Sequence, residues 1–425
     1  MIKKIFRSVG LRQTLLLSGG NLGASFFSAA ALILISRILS PSLFGEFTVG
    51  YSLIIIIYKI QGIGLNAAIQ RVAGKIFHEN TWKKKFSQLL QVGMSYNIFL
   101  FLLFLVGGIL ISYPLSLLLH IESPFIIFGA FLAASVTVFF EYFTNIYQTL
   151  HKFSMSVTMM WLQSLLKLSV ALSIFFLKIE NVILLFYLFY LVPIFSIIYG
   201  WQRLPQALHI FPPKRDRVVE SELSHVLKNT AISMATLGLI EYLDILFVKH
   251  YTTPFSTGIY GGIPQLGSAV SLVGYSIAAV LNARVARYHS KSDLDQYIKK
   301  ASVFLLVALS GFIFYLPLAR LSILGTIGPH YIAGLPYISL LMASSFLFIA
   351  TVPFIALFYS FGSATYFSVS GILQLCIVLI GGVTLIPHFG LAGAVWLKVI
   401  SKAFLFLFTI IWAYSAYKKK IHAEY

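Results

Sequence analysis

Acidic side chains are scarce in this sequence, with 13 Asp and Glu among 425 residues, and charged residues of both signs reach only 10%. Soluble domains carry about 25% charged residues. So small a polar complement cannot cover a core drawn from a chain that is 59% hydrophobic, which excludes a water-soluble globular fold. Cysteine is almost absent: Cys376 stands alone in an apolar run, so no intrachain disulfide, CxxC redox pair or cysteine-rich zinc site can form. Nucleotide hydrolysis lacks its GxxxxGK[ST] loop, because Gly74-Lys75 is preceded by Ile69 where the leading glycine belongs and followed by Ile76 where the hydroxyl belongs. The 10 His residues form no HExxH or other ligand cluster, and no GxSxG elbow occurs. Asp293-Leu294-Asp295 has the form of an acidic metal motif, but Ser292 three residues before Asp295 makes a helix-start capping pattern the simpler reading. The expectation is a chain that is not an enzyme and uses no metal and no cofactor.

What is present is hydrocarbon-compatible sequence, with mean hydropathy +0.89. Apolar runs of roughly 20 residues read as membrane spans. They lie at Thr14 to Ser36, Glu46 to Asn66, Leu89 to Ser112, Phe125 to Tyr147, Ser156 to Leu177 and Val182 to Trp201. A second set lies at Thr230 to Val248, Gly258 to Leu281, Ser302 to Ile323, Pro336 to Phe361, Phe367 to Ile386 and Leu391 to Tyr414. The fold class is therefore an all-α integral membrane protein of about twelve transmembrane helices.

The formal charge of +18 would suggest nucleic acid in a soluble protein, but its distribution points elsewhere. Lys3, Lys4, Arg7 and Arg12, then Arg71, Lys75 and Lys83 to Lys85, then Lys152 fall on one side of the spans. The same side receives Arg203, Lys214, Arg215, Arg217 and Lys228, then Arg284, Arg287, Lys291, Lys299 and Lys300, then Lys418 to Lys420. The opposite side holds only Arg37, Lys178, Lys249 and Arg320. The positive-inside rule places both termini in the cytoplasm, and the basic charge reports topology with no nucleic-acid partner. The basic start followed by Ser28-Ala29-Ala30-Ala31 also has the form of a cleavable signal peptide, but the apolar stretch is long enough to span and its loss would leave an odd helix count.

Shifted by half its length against itself, the chain places Pro41 on Pro254, Gly45 on Gly258, Phe47 on Tyr260, Leu53 on Leu266 and Arg71-Val72-Ala73 on Arg284-Val285-Ala286. Each half then holds six spans, and an even number keeps orientation, so the halves are expected to be parallel repeats about an axis along the membrane normal. The expected division is an N-terminal lobe over 1–201, a cytoplasmic linker over 202–227 containing Pro205, Pro212 and Pro213, and a C-terminal lobe over 228–425. Two such lobes suit alternating access around a midplane site.

Charged residues inside spans cost about 2.5–3.5 kcal/mol each on insertion scales and are functional candidates. They are Lys59, Glu141, Lys167, Glu241, Asp244, Lys398 and Lys402. Glu241 and Asp244 are three apart and Lys398 and Lys402 four apart, so each pair shares a helix face, and Glu241 and Lys398 fall at a similar depth where they can meet. The competing readings are a buried ion pair that only lets two helices insert, and lysines that snorkel to an interface. Arg71 and Arg284 sit symmetrically at the cytoplasmic mouth, where they serve either as phosphate ligands or as positive-inside anchors.

Several motifs together resemble a known family. The run from Ile35 to Phe47, containing Ser36-Arg37 and Pro41-Ser42-Leu43-Phe44-Gly45-Glu46-Phe47, resembles the signature after the first helix of oligosaccharide flippases. These form the polysaccharide-transporter branch of the multidrug/oligosaccharidyl-lipid/polysaccharide (MOP) flippase superfamily. Asp244 to Lys249 with Gly258-Ile259-Tyr260, Ile323-Leu324-Gly325 through His330-Tyr331, and Gly390-Leu391-Ala392-Gly393-Ala394 resemble further family stretches in matching order. His330 departs from the charged residue often found there. The resemblance covers nearly the whole chain and implies a MATE-like fold in the bacterial inner membrane. It also implies translocation of an undecaprenyl-pyrophosphate-linked oligosaccharide repeat unit for O-antigen, capsule or exopolysaccharide, driven by an ion gradient or membrane potential. Polysaccharide polymerase and chain-length proteins would be partners, alongside the lipid-linked substrate and membrane lipid. On this reading Lys59, Arg71, Lys167 and Arg284 contact substrate, while Glu241, Asp244, Lys398 and Lys402 couple to ions. A multidrug or cation antiporter on the same architecture is the alternative. A membrane-embedded polymerase or acyltransferase is less suitable, because no predicted external loop exceeds roughly a dozen residues.

Overall fold

The computed structural model describes residues 9–212, 217–285, 288, 291–361 and 364–424, and some side chains within these ranges, Arg284 included, lie outside the described residues. All regular structure among the described residues is helical: α1 (Val9–Ile38), α2 (Pro41–Gly62), α3 (Leu65–Ile76), α4 (Trp82–Leu118), α5 (Pro124–Thr149), α6 (Phe153–Leu177), α7 (Val182–Tyr190) and α8 (Pro193–Gln202). Then come α9 (Arg217–Tyr251), α10 (Pro254–Val285), α11 (Lys291–Tyr315), α12 (Ala319–Gly325), α13 (Leu335–Phe361) and α14 (Ala364–Glu424), with short 3-10 turns at Leu316–Leu318 and Pro329–Gly334. Among the described residues nine helices are long and apolar enough to cross a membrane, and one of them, Thr365–Lys418, has the length of two spans. The remaining two predicted spans fall in α9 and α10.

The chain forms two compact units. Unit 1 comprises Met1–Ile38 with Gly50–Tyr242, and unit 2 comprises Leu39–Val49 with Leu243–Tyr425. Helices α2 and α9 therefore each contribute to both.

In unit 1 the second predicted span breaks where the sequence reads as continuous. Ile63 and Gly64 take positive φ of 40 and 75, which ends α2 and separates it from α3. Glycine adopts that conformation freely, whereas a β-branched residue there is strained. Helix α3 buries Leu65, Ala68, Ile69, Val72, Ala73 and Ile76 on one face. Its spacing of three and four residues is that of an amphipathic helix lying on a core. The core below contains Phe86, Leu89, Leu90, Tyr142, Phe143 and Ile146, and α3 is pinned to α5 by polar bonds. Asn145 donates to the Asn66 carbonyl at 2.8 Å and accepts from Gln70 at 2.6 Å.

The stretch read as a linker is partly docked. Leu208, Ile210, Leu223 and Leu227 are buried in that same core, and the His209 N–H donates to Ser87 Oγ at 3.2 Å. Helix α9 begins at Arg217, so it extends well ahead of the apolar run that starts at Thr230. Lys214 and Arg215, which belonged to the linker's basic run, lie outside the described residues.

In unit 2 the sequence repeat acquires a physical meaning. Gly45 on α2 and Gly258 on α10 meet backbone to backbone: a Cβ on Gly45 would lie 2.9 Å from the Pro254 carbonyl, and one on Gly258 would lie 1.6 Å from the Pro41 carbonyl. The repeated proline starts each helix, where its missing N–H costs nothing, and the repeated glycine one turn later lets the two helices touch. Tyr331 is fully buried in the same region, edge-on to Phe44 at 5.9 Å and above Gly262, while His330 beside it is exposed.

Gly390 and Gly393 make the hairpin within α14. Gly390 has φ +55 and breaks the helix, and Gly393 packs so closely that a Cβ there would sit 2.3 Å from the Leu385 carbonyl. At the start of α11, Asp293 lies in the first turn and Asp295 accepts a hydrogen bond from Tyr417 on α14.

Candidate functional site

Unit 2 brings together part of the charged set. Asp244 on α9 accepts from Lys398 Nζ on α14 at 2.8 Å, and the same carboxylate oxygen accepts from the Tyr260 hydroxyl on α10. Its other oxygen accepts from the Ile245 N–H at 2.9 Å. The Asp244 side chain is 6% exposed and that of Lys398 20%, with the ammonium 5.9 Å from the Tyr260 ring centroid. A buried carboxylate with a cation and two N–H or O–H donors is satisfied rather than open.

Glu241, three residues earlier on α9, lies in the part of that helix that belongs to unit 1, and Lys398 forms its ion pair with Asp244. Lys402 has its ammonium 5.4 Å from the Phe348 ring. A second ion pair was not anticipated. Lys249 in the last turn of α9 reaches Glu46 on α2 at 3.8 Å, with side-chain exposures of 1% and 14%. The sequence placed Lys249 in an external loop because it follows the apolar run, but α9 continues to Tyr251 and its packing buries the lysine.

Unit 1 holds a different arrangement. Lys167 on α6 points its ammonium at two aromatic faces, 5.3 Å from the Phe189 centroid and 5.5 Å from that of Tyr190. Among the described residues no carboxylate lies within ion-pairing distance of it. Cation–π contact offsets part of the loss of hydration, roughly 2 kcal/mol when desolvated, and leaves the positive charge uncompensated. One turn earlier on the same face, the buried Gln163 Oε1 has no hydrogen-bond partner.

From Tyr190 the aromatic surface continues. Tyr51 on α2 stacks on Tyr190 with centroids 5.8 Å apart, and Tyr242 on α9 meets Tyr51 edge-on at 5.6 Å. Tyr51 and Tyr242 share a hydrogen bond, and the Glu241 carboxylate is close enough to act electrostatically on Tyr51. Lys59 lies 4.8 Å over the Tyr58 ring, its stem packed against Gly238, while the Tyr58 hydroxyl is bonded to Glu141. Arg71 is exposed on the polar face of α3. Of the four expected substrate residues, Lys59 and Lys167 are half-buried, Arg71 is exposed on α3, and the side chain of Arg284 lies outside the described residues. The tyrosines were missed because an aromatic residue in an apolar span gives no signal distinct from packing.

Solved structures share this arrangement of helices. An inward-facing multidrug-resistance MATE family transporter of the MOP superfamily superposes with TM-score 0.73 at 15% identity, covering 93% of this chain and 96% of its own. The fold is MOP-like. The lipid II flippase MurJ, in an inward closed conformation, also gives TM-score 0.73, at 12% identity over 96% of this chain and 90% of its own. A MOP superfamily transporter from Pyrococcus furiosus, described as having a binding pocket of reverse polarity that suggests a different function, gives 0.59 at 14% identity over 96% of both chains. No protein-family profile and no curated protein matches the sequence.

Proposed function

We propose that this chain is a flippase that moves an undecaprenyl-pyrophosphate-linked oligosaccharide repeat unit across the bacterial inner membrane by alternating access. The observation that carries the reading is Lys167: an interior ammonium held by Phe189 and Tyr190, with no carboxylate partner among the described residues. Such a charge suits an anionic ligand, because a phosphate oxygen supplies both the missing counter-charge and strong acceptors. A cationic drug would instead require an unspent carboxylate, and the deeply buried Asp244 is already engaged by Lys398 and Tyr260. The MOP-like fold and the sequence motifs support the same direction, and the lipid II flippase among the structural neighbours is compatible with a lipid-linked cargo.

In this reading Lys59 and Lys167 hold pyrophosphate, and Arg71 and Arg284 guide it at the cytoplasmic mouth. The prenyl tail stays in lipid. Asp244 and Lys398 form the ion-coupling element, with Glu241 and Lys402 nearby in sequence on the same helices. The lobes divide near the 202–227 segment, both termini face the cytoplasm, and a polymerase or chain-length protein receives the product. Reconstitution into liposomes tests this directly. Wild-type protein is expected to translocate a fluorescent prenyl-pyrophosphate glycan, and Lys167→Met to slow it by about tenfold or more, the loss of one charge-assisted contact. Transport of cationic dyes with no glycan translocation would transfer the chain to the antiporter reading.

A further inference from the structure

The interior of unit 1 carries more hydrogen-bonding capacity beside Lys167 than an anion or a lipid tail would use. Three contacts connect in series, Lys167 to the Tyr190 face, Tyr190 to Tyr51 and Tyr51 to Tyr242, and Glu241 acts on Tyr51 through its charge. Tyr190 is 5% exposed, but Tyr51, Tyr242, Glu241 and Lys167 are each only half-buried, so this surface is not sealed by packing. Hydroxyls, an amide and a carboxylate are unfavourable in a membrane span unless something pairs with them. Gln163 adds a buried carbonyl with no hydrogen-bond partner one turn from Lys167, an acceptor left for a ligand.

We infer that Tyr51, Tyr190 and Tyr242, with Glu241, form a sugar-ring subsite that adjoins the pyrophosphate contact at Lys167. The chemistry fits the inner residues of a glycosyl pyrophosphate. A pyranose presents an apolar C–H face that stacks on an aromatic plane, and a rim of hydroxyls that both donate and accept. Tyrosine offers the plane and a two-way hydroxyl, glutamate only accepts, and glutamine does both. A lysine supplies the cation that the adjoining phosphate needs without fixing its orientation. The inference rests on the cargo being lipid-linked oligosaccharide, and deepens that reading by naming which part of the cargo each side chain meets.

Binding of short-chain probes to the full-length protein in lipid nanodiscs separates the two claims. The probes are geranyl pyrophosphate and its glucosyl, galactosyl and N-acetylglucosaminyl esters, with affinities read by calorimetry. At least one glycosylated probe is expected to bind about tenfold more tightly than bare geranyl pyrophosphate, the worth of one stacked ring and one hydrogen bond. Tyr51→Ala and Tyr242→Ala should abolish that increment and leave the bare probe unchanged. Tyr51→Phe, which keeps the plane and the packing, should retain part of the increment and serves if the alanine variants are unstable. Lys167→Met should weaken bare and glycosylated probes alike. An increment that is absent for all three sugars, or that survives both tyrosine truncations, overturns the subsite. Bare probe that binds independently of Lys167 while the tyrosine-dependent increment persists overturns the pyrophosphate contact and leaves the subsite standing. Failure of every probe to bind overturns both.

Discussion

Replacing Lys398 by methionine tests whether the buried cluster in unit 2 behaves as its geometry requires. Methionine keeps most of the side-chain volume and removes the charge, so the change isolates electrostatics from packing. Asp244, 6% exposed, then loses the donor at 2.8 Å and retains only Tyr260 and the Ile245 N–H. Breaking a buried pair from one side costs about 3–5 kcal/mol, because the remaining charge is left uncompensated. The 20% exposure of Lys398 places this case at the lower end, about 3 kcal/mol, or a factor of roughly 100 in the folding equilibrium. Asp244→Asn combined with Lys398→Met removes both charges and should recover stability to within about 1 kcal/mol of wild type, a large favourable coupling in a double-mutant cycle. Glu241→Gln combined with Lys398→Met should give no such recovery, since Lys398 is bonded to Asp244. The assay is unfolding of the purified protein in nanodiscs followed by intrinsic fluorescence, with glycan translocation measured on the same preparations. A Lys398→Met variant as stable as wild type would refute the buried-pair argument. A neutralised double variant that translocates glycan at the wild-type rate with unchanged ion dependence would refute the coupling role and leave the pair purely structural.

Gly258→Ala should destabilise strongly or prevent accumulation, because its Cβ would lie 1.6 Å from the Pro41 carbonyl, whereas Gly74→Ala on α3, with nothing within 4 Å, should be neutral or stabilising by about 1 kcal/mol; expression and melting of both variants check this. Arg71→Ala should reduce surface polysaccharide with normal protein level, since the side chain is exposed and removing it opens no cavity, and Arg71→Lys should not fully restore export if the guanidinium grips phosphate with two nitrogens. Reporter fusions at the C-terminus, within 202–224 and near Ser290 should all give cytoplasmic signals, and an external signal from the 202–224 fusion would break the assignment of six spans to each half.

The sequence by itself determined the solvent and the elements. Too few charges and too many apolar residues leave lipid as the only medium, and the predicted spans are helical because hydrocarbon forces backbone groups to pair internally, although those at Glu46 to Asn66, Val182 to Trp201 and Ser302 to Ile323 are each interrupted. It also contained the repeat, as Pro41 with Pro254 and Gly45 with Gly258, because a close backbone contact can be made only by glycine and so leaves its mark on residue type. Glu241 and Asp244 show where that information ends. Three residues apart on a helix, they differ by only about 60° in direction, and no periodicity decides which meets Lys398. Packing placed Asp244 against Lys398 and Tyr260 in unit 2, and placed Glu241 close to Tyr51 in unit 1. Tertiary structure alone also buried Lys249, which sequence left in a loop, and set Lys167 against the rings of Phe189 and Tyr190 with no carboxylate partner among the described residues. Whether a charge in a membrane is neutralised or left for a ligand depends on side chains contributed by other helices, and that proximity is a property of packing, not of any one span.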